Sequence, residues 1–179
     1  MDNTKKQTTL DPFVEGGFLD AWITYISSAH PDIWKSSPNM VKAMGVTILS
    51  ALSKTLIPFT KTIPCNIFLL IIGPGMTGKS TLLSYADDFN IPILSGTPEY
   101  LAQDLSEKKW GIITCDEIHA ILKNVKRRGY MSEWPDLIKQ AFYSQSLRMG
   151  RKTTQSVFLP KNSYYTCLVS ATTDEDILK

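Results

Sequence analysis

The run Gly73-Pro74-Gly75-Met76-Thr77-Gly78-Lys79-Ser80 fits the pattern G-x-x-x-x-G-K-[ST] at every position, and Thr81 comes directly after it. Glycines in a short loop let several backbone N–H groups aim inward and form a concave nest for anions, and a helix beginning at the end of the loop adds its positive end. Phosphate oxygens are the natural occupant. Lys79 then supplies a point charge to the outer phosphates of a nucleotide, and the Ser80 hydroxyl has the size and hardness to ligate Mg2+. Two other places carry polar groups at the ends of apolar runs: Asp116 and Glu117 after Trp110 to Thr114, and Ser170, Thr172 and Thr173 around Ala171.

These groups can act together only if the chain brings the ends of three apolar runs to one edge. Asn66 to Ile72 is a continuous apolar run of the kind made by a strand buried on both faces of a parallel sheet, and it feeds straight into the glycines. The spacing then predicts a helix from Lys79 to about Asp87, a strand Ile91 to Leu94, and a helix opened by Thr97 and Pro98 that runs to about Ser106. The strand Trp110 to Thr114 leads into a short helix with Ile118, Ile121 and Leu122, then a basic loop from Lys126 to Arg128. A helix from about Ser132 to Leu147 shows Leu137, Ile138, Ala141 and Phe142 on one face. A hairpin is expected from Thr153 to Leu159 and Ser163 to Val169, turning at Pro160, Lys161 and Asn162. Strands alternating with helices imply an α/β fold with a mostly parallel sheet flanked by helices. Parallel sheets hold ligands at the carboxyl ends of their strands, so Thr172 or Thr173 should emerge beside the outermost phosphate and position a water there. An N-cap for a helix beyond them is an equally good role for these hydroxyls. Thr172 is the candidate for the water.

Upstream, Phe18, Leu19, Trp22, Ile23 and Ile26 recur at helical spacing, and Ser37-Pro38 starts a second helix whose stripe is Val41, Met44, Ile48, Leu49, Leu52 and Leu56. Pro58 and Pro64 bracket a linker. The resulting division is a polar tail over 1–12, an N-terminal helical pair over 13–60, and a core over 61–179 against which that pair packs.

Composition narrows the function classes. The chain has 179 residues, is 43% hydrophobic and 20% charged, and carries a formal charge of +2, which fits one globular domain with no strong single-sign field. Nucleic acid is permitted by this balance but not announced by it. No apolar run approaches the roughly 20 residues of a membrane helix, and the polar start lacks a signal-peptide core, so a cytoplasmic protein without a membrane partner is expected. Cys65, Cys115 and Cys167 show no paired spacing and read as small buried residues of a reducing compartment, and with His30 and His119 the only histidines, a zinc site is not expected.

The loop is the P-loop (Walker A) pattern, and the strand ending in Asp116-Glu117 resembles the Walker B element. That resemblance implies that Asp116 holds Mg2+, largely through water, and that Glu117 acts as general base on the attacking water. Acids at a helix N-terminus would also be found at an ordinary strand-to-helix junction. The trio Gly-Lys-Ser-Thr, Asp-Glu-Ile-His and Ser-Ala-Thr is superficially that of superfamily 2 helicases, but only one strand fits between Lys79 and Asp116, which instead resembles the AAA+ and superfamily 3 type. His119 is read as structural. Residues 13 to 173 as a set resemble P-loop ATPase domains of phage, plasmid and archaeal mobile-element replication proteins. The resemblance implies ATP and Mg2+ as cofactors, hydrolysis, a homo-oligomeric ring and single-stranded DNA as partner, contacted by Lys161 and by Lys126, Arg127 and Arg128, whose alternative is a solvated surface. It also implies that an arginine reaches the outer phosphate from a neighbouring subunit; Arg151, beside Arg148 at the end of the helix from Ser132, is the candidate, against a plain dipole-capping role. Lys179 comes soon after the third strand, so a final core strand and a lid are expected to be missing. The alternative from another class is a nucleotide-dependent switch with little turnover and no DNA translocation.

Overall fold

The apolar runs that end in polar residues become the strands of one sheet. The computed structural model describes residues 16–53, 56–58, 62–87, 98–127, 133–150 and 156–173. Three helices come first: α1 (Phe18–Ala29), α2 (Pro31–Ser36) and α3 (Pro38–Ser53). They lead into a two-stranded antiparallel ribbon of β1 (Leu56–Pro58) and β2 (Thr62–Pro64). Next come β3 (Phe68–Ile72), α4 (Lys79–Ser84), α5 (Pro98–Lys108), β4 (Trp110–Cys115), α6 (Ile118–Arg127) and α7 (Trp134–Phe142). The chain closes with β5 (Leu147–Met149), β6 (Val157–Leu159) and β7 (Tyr165–Thr172).

Among the described residues the principal sheet is three-stranded and parallel, in the order β3, β7, β4, so the last of these strands in sequence lies in the middle. Ile72 pairs with Thr172 and Cys115 with Ser170, which brings the carboxyl ends of all three strands to one edge. Successive side chains of a strand face opposite ways, and this alternation divides the core between two faces. On one face Cys167, Val169, Ala171, Ile112 and Ile71 meet Met44, Ile48 and Ala51 of α3 with Leu83 of α4. On the other, Leu168 and Ile113 meet Leu101 and Leu105 of α5 and Trp134, Leu137 and Ala141 of α7. The architecture is therefore α/β, with helices on both sides of a parallel sheet.

Several expectations are corrected. The helical pair is three helices, because α2 occupies the interval before Ser37. The linker between Pro58 and Pro64 is the β1–β2 ribbon, which also takes Leu56 out of the helical stripe. Val41, Met44 and Ile48 of that stripe are buried, whereas Leu52 is exposed. β3 is not covered on both faces: Leu70 and Ile72, which share one face, are exposed. The helix expected to reach Leu147 ends at Phe142, where Asn66 Nδ2 donates to the carbonyls of Ala141 and Phe142 at 3.2 and 2.8 Å. Buried Tyr164 donates its hydroxyl to Gln140 O and Gln145 O at 3.2 and 2.8 Å. Helix-terminal carbonyls need outside partners, and these two side chains supply them. Leu147 and Arg148 consequently lie in β5, so Arg148 is not a helix cap.

The expected hairpin is also re-paired. Val157–Leu159 runs antiparallel to Leu147–Met149, not to Tyr165–Thr172, because both edges of β7 are taken by β3 and β4. Lys161 lies in the turn before β7, at the edge of the sheet opposite Thr172, and is not the tip of a hairpin. Lys126 and Arg127 are the end of α6 and not a loop. Arg128, Arg151, the strand Ile91 to Leu94, the tail over 1–12 and the beginning of the helix at Ser132 lie outside the described residues.

Candidate functional site

At the carboxyl edge of the sheet, three segments far apart in sequence close around one cavity of about 400 Å3. Its walls are Gly75 to Thr81 from the glycine loop, Asp116 and Glu117 from the turn after β4, and Thr172 and Thr173 from the end of β7. Gly73 and Pro74 lie just behind, at the start of the loop, and line a neighbouring cavity of about 300 Å3 with Ser36, Ser37 and Asn39. No motif announces that second cavity, since its far wall comes from the junction of α2 and α3.

The loop holds its shape through its own polar groups. Thr77 Oγ1 donates to Pro74 O at 3.1 Å, and Gly73 N donates to Thr172 O at 3.4 Å, which ties the loop to the central strand. Gly78 has φ +79°, in the left-handed region, and a Cβ there would lie 2.5 Å from the Ile33 side chain of α2, so glycine is required twice over. Gly73 and Gly75 are under neither constraint: their φ values lie outside that region and a Cβ would meet nothing closer than 4.0 Å. Met76 does take a positive φ, at 62°, with its side chain fully exposed at the loop tip.

Lys79 is buried, at 8% exposure, and its Nζ donates to Gly73 O at 2.8 Å, Pro74 O at 2.5 Å and Thr77 Oγ1 at 3.4 Å. A buried ammonium needs such partners, and an arriving anion must replace some of these carbonyls. Ser80 Oγ donates to Asp116 Oδ2 at 2.7 Å, bringing a hydroxyl and a carboxylate oxygen together as a pair of hard donors. Glu117 comes next with φ +59°, a conformation that few residues other than glycine adopt and one that functional turns often hold. Beneath the turn, burial with the adjacent Asp116 charge pushes the Cys115 thiol up to about 12, so this cysteine is a buried structural residue and not a nucleophile.

Thr172 is 2% exposed, with its hydroxyl near two groups: His119 Nδ1 at 3.3 Å and Thr173 O at 3.4 Å. The fold thus gathers Gly75 to Thr81, Asp116, Glu117, Thr172 and Thr173, and leaves Lys161 at the opposite edge. His119, read from the sequence as structural, lies directly behind the cavity wall. It is the second residue of α6, two positions after Glu117, and that nearness is the sequence signal that could have found it. Among the described residues no cluster of three or more His, Cys, Asp or Glu side chains could hold a metal, and no helix is long and apolar enough to cross a membrane. No protein-family model matches the chain and no curated protein matches it, which leaves the site to be understood from its own chemistry.

Proposed function

We propose that the chain binds a magnesium nucleoside triphosphate, ATP being the expected one, in the cavity between the glycine loop and the acidic turn, and hydrolyses it. The observation that carries this reading is the convergence of Lys79, Ser80, Asp116, Glu117 and Thr172 on one cavity from three separate strand ends. The glycine loop and Lys79 line the cavity and suit the phosphates. The Ser80–Asp116 oxygen pair fits Mg2+, which when bound neutralises phosphate charge. Glu117 accepts a proton from the attacking water, Thr172 orients that water, and the terminal phosphoryl group leaves its bridging oxygen on the diphosphate.

Lys79→Ala is expected to abolish MgATP binding in calorimetry while the fold survives in circular dichroism. Glu117→Gln should keep binding and lose at least about a hundredfold in hydrolysis. Wild-type affinity in a folded Lys79→Ala protein would sink the assignment. A helicase-type motor of a mobile-element replication protein, working as a homo-oligomeric ring on single-stranded DNA, extends this reading by resemblance. Hydrolysis measured with and without single-stranded DNA separates that motor from a slow nucleotide switch.

A further inference from the structure

We infer that His119 is a positioning residue for the hydrolytic step, acting through the hydroxyl of Thr172. The inference rests on the proposed hydrolysis at this site and names a group that the site needs but that does not line it.

Thr172 ends the central strand, and both of its ends are tied. Its carbonyl accepts from Gly73 N at 3.4 Å, fixing it to the start of the glycine loop. Its hydroxyl lies 3.3 Å from His119 Nδ1, fixing it to α6. His119 is in turn two residues beyond Glu117, in a helix whose first turn is closed by Ala120 N donating to Glu117 O at 2.9 Å. The base and the hydroxyl that face the same water therefore come from strands β4 and β7 yet share one short connection, Glu117 to His119 to Thr172. Relative placement of two such groups matters because a misplacement of about 1 Å can cost roughly a hundredfold in rate.

The proton inventory gives the contact a chemical role. A threonine hydroxyl has one proton and two lone pairs. Left alone, Thr172 can turn that proton toward Thr173 O or into the cavity. The His119 ring nitrogen limits the rotation, so the hydroxyl presents one fixed side to the cavity. A water held by that side and by Glu117 has its orientation set by two groups.

The test uses His119→Leu, His119→Asn and Thr172→Val in the full chain. Asparagine places an amide atom close to the position of Nδ1 and keeps the hydrogen bond, whereas leucine fills the space without one. His119→Leu is expected to lower kcat by roughly 10- to 100-fold with MgATP affinity changed less than about twofold. His119→Asn should recover most of the rate. In the His119→Leu/Thr172→Val pair the loss should be no larger than in Thr172→Val alone, since the two act as one unit. Wild-type kcat in His119→Leu, or losses that multiply in the pair, would overturn the role of His119 while leaving the site intact. A wild-type chain that binds no triphosphate would overturn the site, and the inference with it. The contact itself is read separately in the nucleotide-free protein, where Thr172→Val should shift the His119 ring-nitrogen resonances; unmoved resonances would also overturn the inference.

Discussion

Replacing Gly78 by alanine perturbs one atom at the point where the loop becomes helix. The added Cβ would sit 2.5 Å from both Cδ1 and Cγ1 of Ile33, and the residue would have to keep φ near +79°. The left-handed conformation costs about 1–2 kcal/mol for a residue with a Cβ. Forcing Ile33 aside adds about 1–3 kcal/mol, the usual range for overpacking. Urea unfolding without nucleotide should therefore show a loss of roughly 2–5 kcal/mol, the sum of the two ranges. The clash is separable from the strain by adding Ile33→Ala, which removes the obstacle but not the backbone conformation. In that background Gly78→Ala should cost only the conformational share, giving an interaction of about 1–3 kcal/mol between the two positions. An equal cost in both backgrounds would refute the contact, and a cost below about 1 kcal/mol in the wild type would refute the left-handed conformation as well.

Asn66→Ala should destabilise the chain by about 3 kcal/mol in the same assay. It strips partners from the carbonyls of Ala141 and Phe142 and from the N–H of Thr166, which now donates to Asn66 Oδ1 at 3.3 Å; a loss under about 1 kcal/mol would show that water replaces the amide. Iodoacetamide at pH 8 should modify half-buried Cys65 in the native chain and spare buried Cys115 and Cys167 until denaturant is added, as mass spectrometry can follow. The Cys115 thiol is raised from 9.0 to about 12. Its contribution to stability is thus whole below pH 9.0 and lost as the pH rises toward 12, so the unfolding midpoint should fall across that window. Native labelling of Cys115 at the rate of Cys65 would contradict its burial.

The parts of the site written in contiguous residues were legible before the fold. The glycine loop, the strand leading into it and the acidic pair after β4 are each local, and their chemistry comes from residue type and spacing. β7 was legible as a strand because Thr166 to Ala171 is apolar enough to be buried on both faces. Its partners were not, since alternation marks a strand without saying which edge it finds; Val157–Leu159 consequently went to β5. The end of α7 was hidden for a related reason: apolar spacing continues past Phe142, and what stops the helix is Asn66, 75 and 76 residues from the carbonyls it binds. α2 is too short, at six residues, to show a period. The contact of His119 with Thr172 spans 53 residues and no local pattern announces it.

The glycine-loop helix is gripped at both ends by the helices before the sheet. Ile33 sits over Gly78 at its start, and at its other end the Tyr85 ring lies 5.7 Å from Trp22 and from Tyr25, with its hydroxyl 2.7 Å from His30 Nε2. Leu82, between the two grips, is wholly buried among Ile26 and Val41. The border that composition draws near residue 60 is therefore no place to cut. A shortened chain beginning there would bare the apolar side of α4 and one face of the sheet at once. The loop would then be attached to a helix with nothing behind it, and a failure of that fragment to take up nucleotide would describe the cut, not the site.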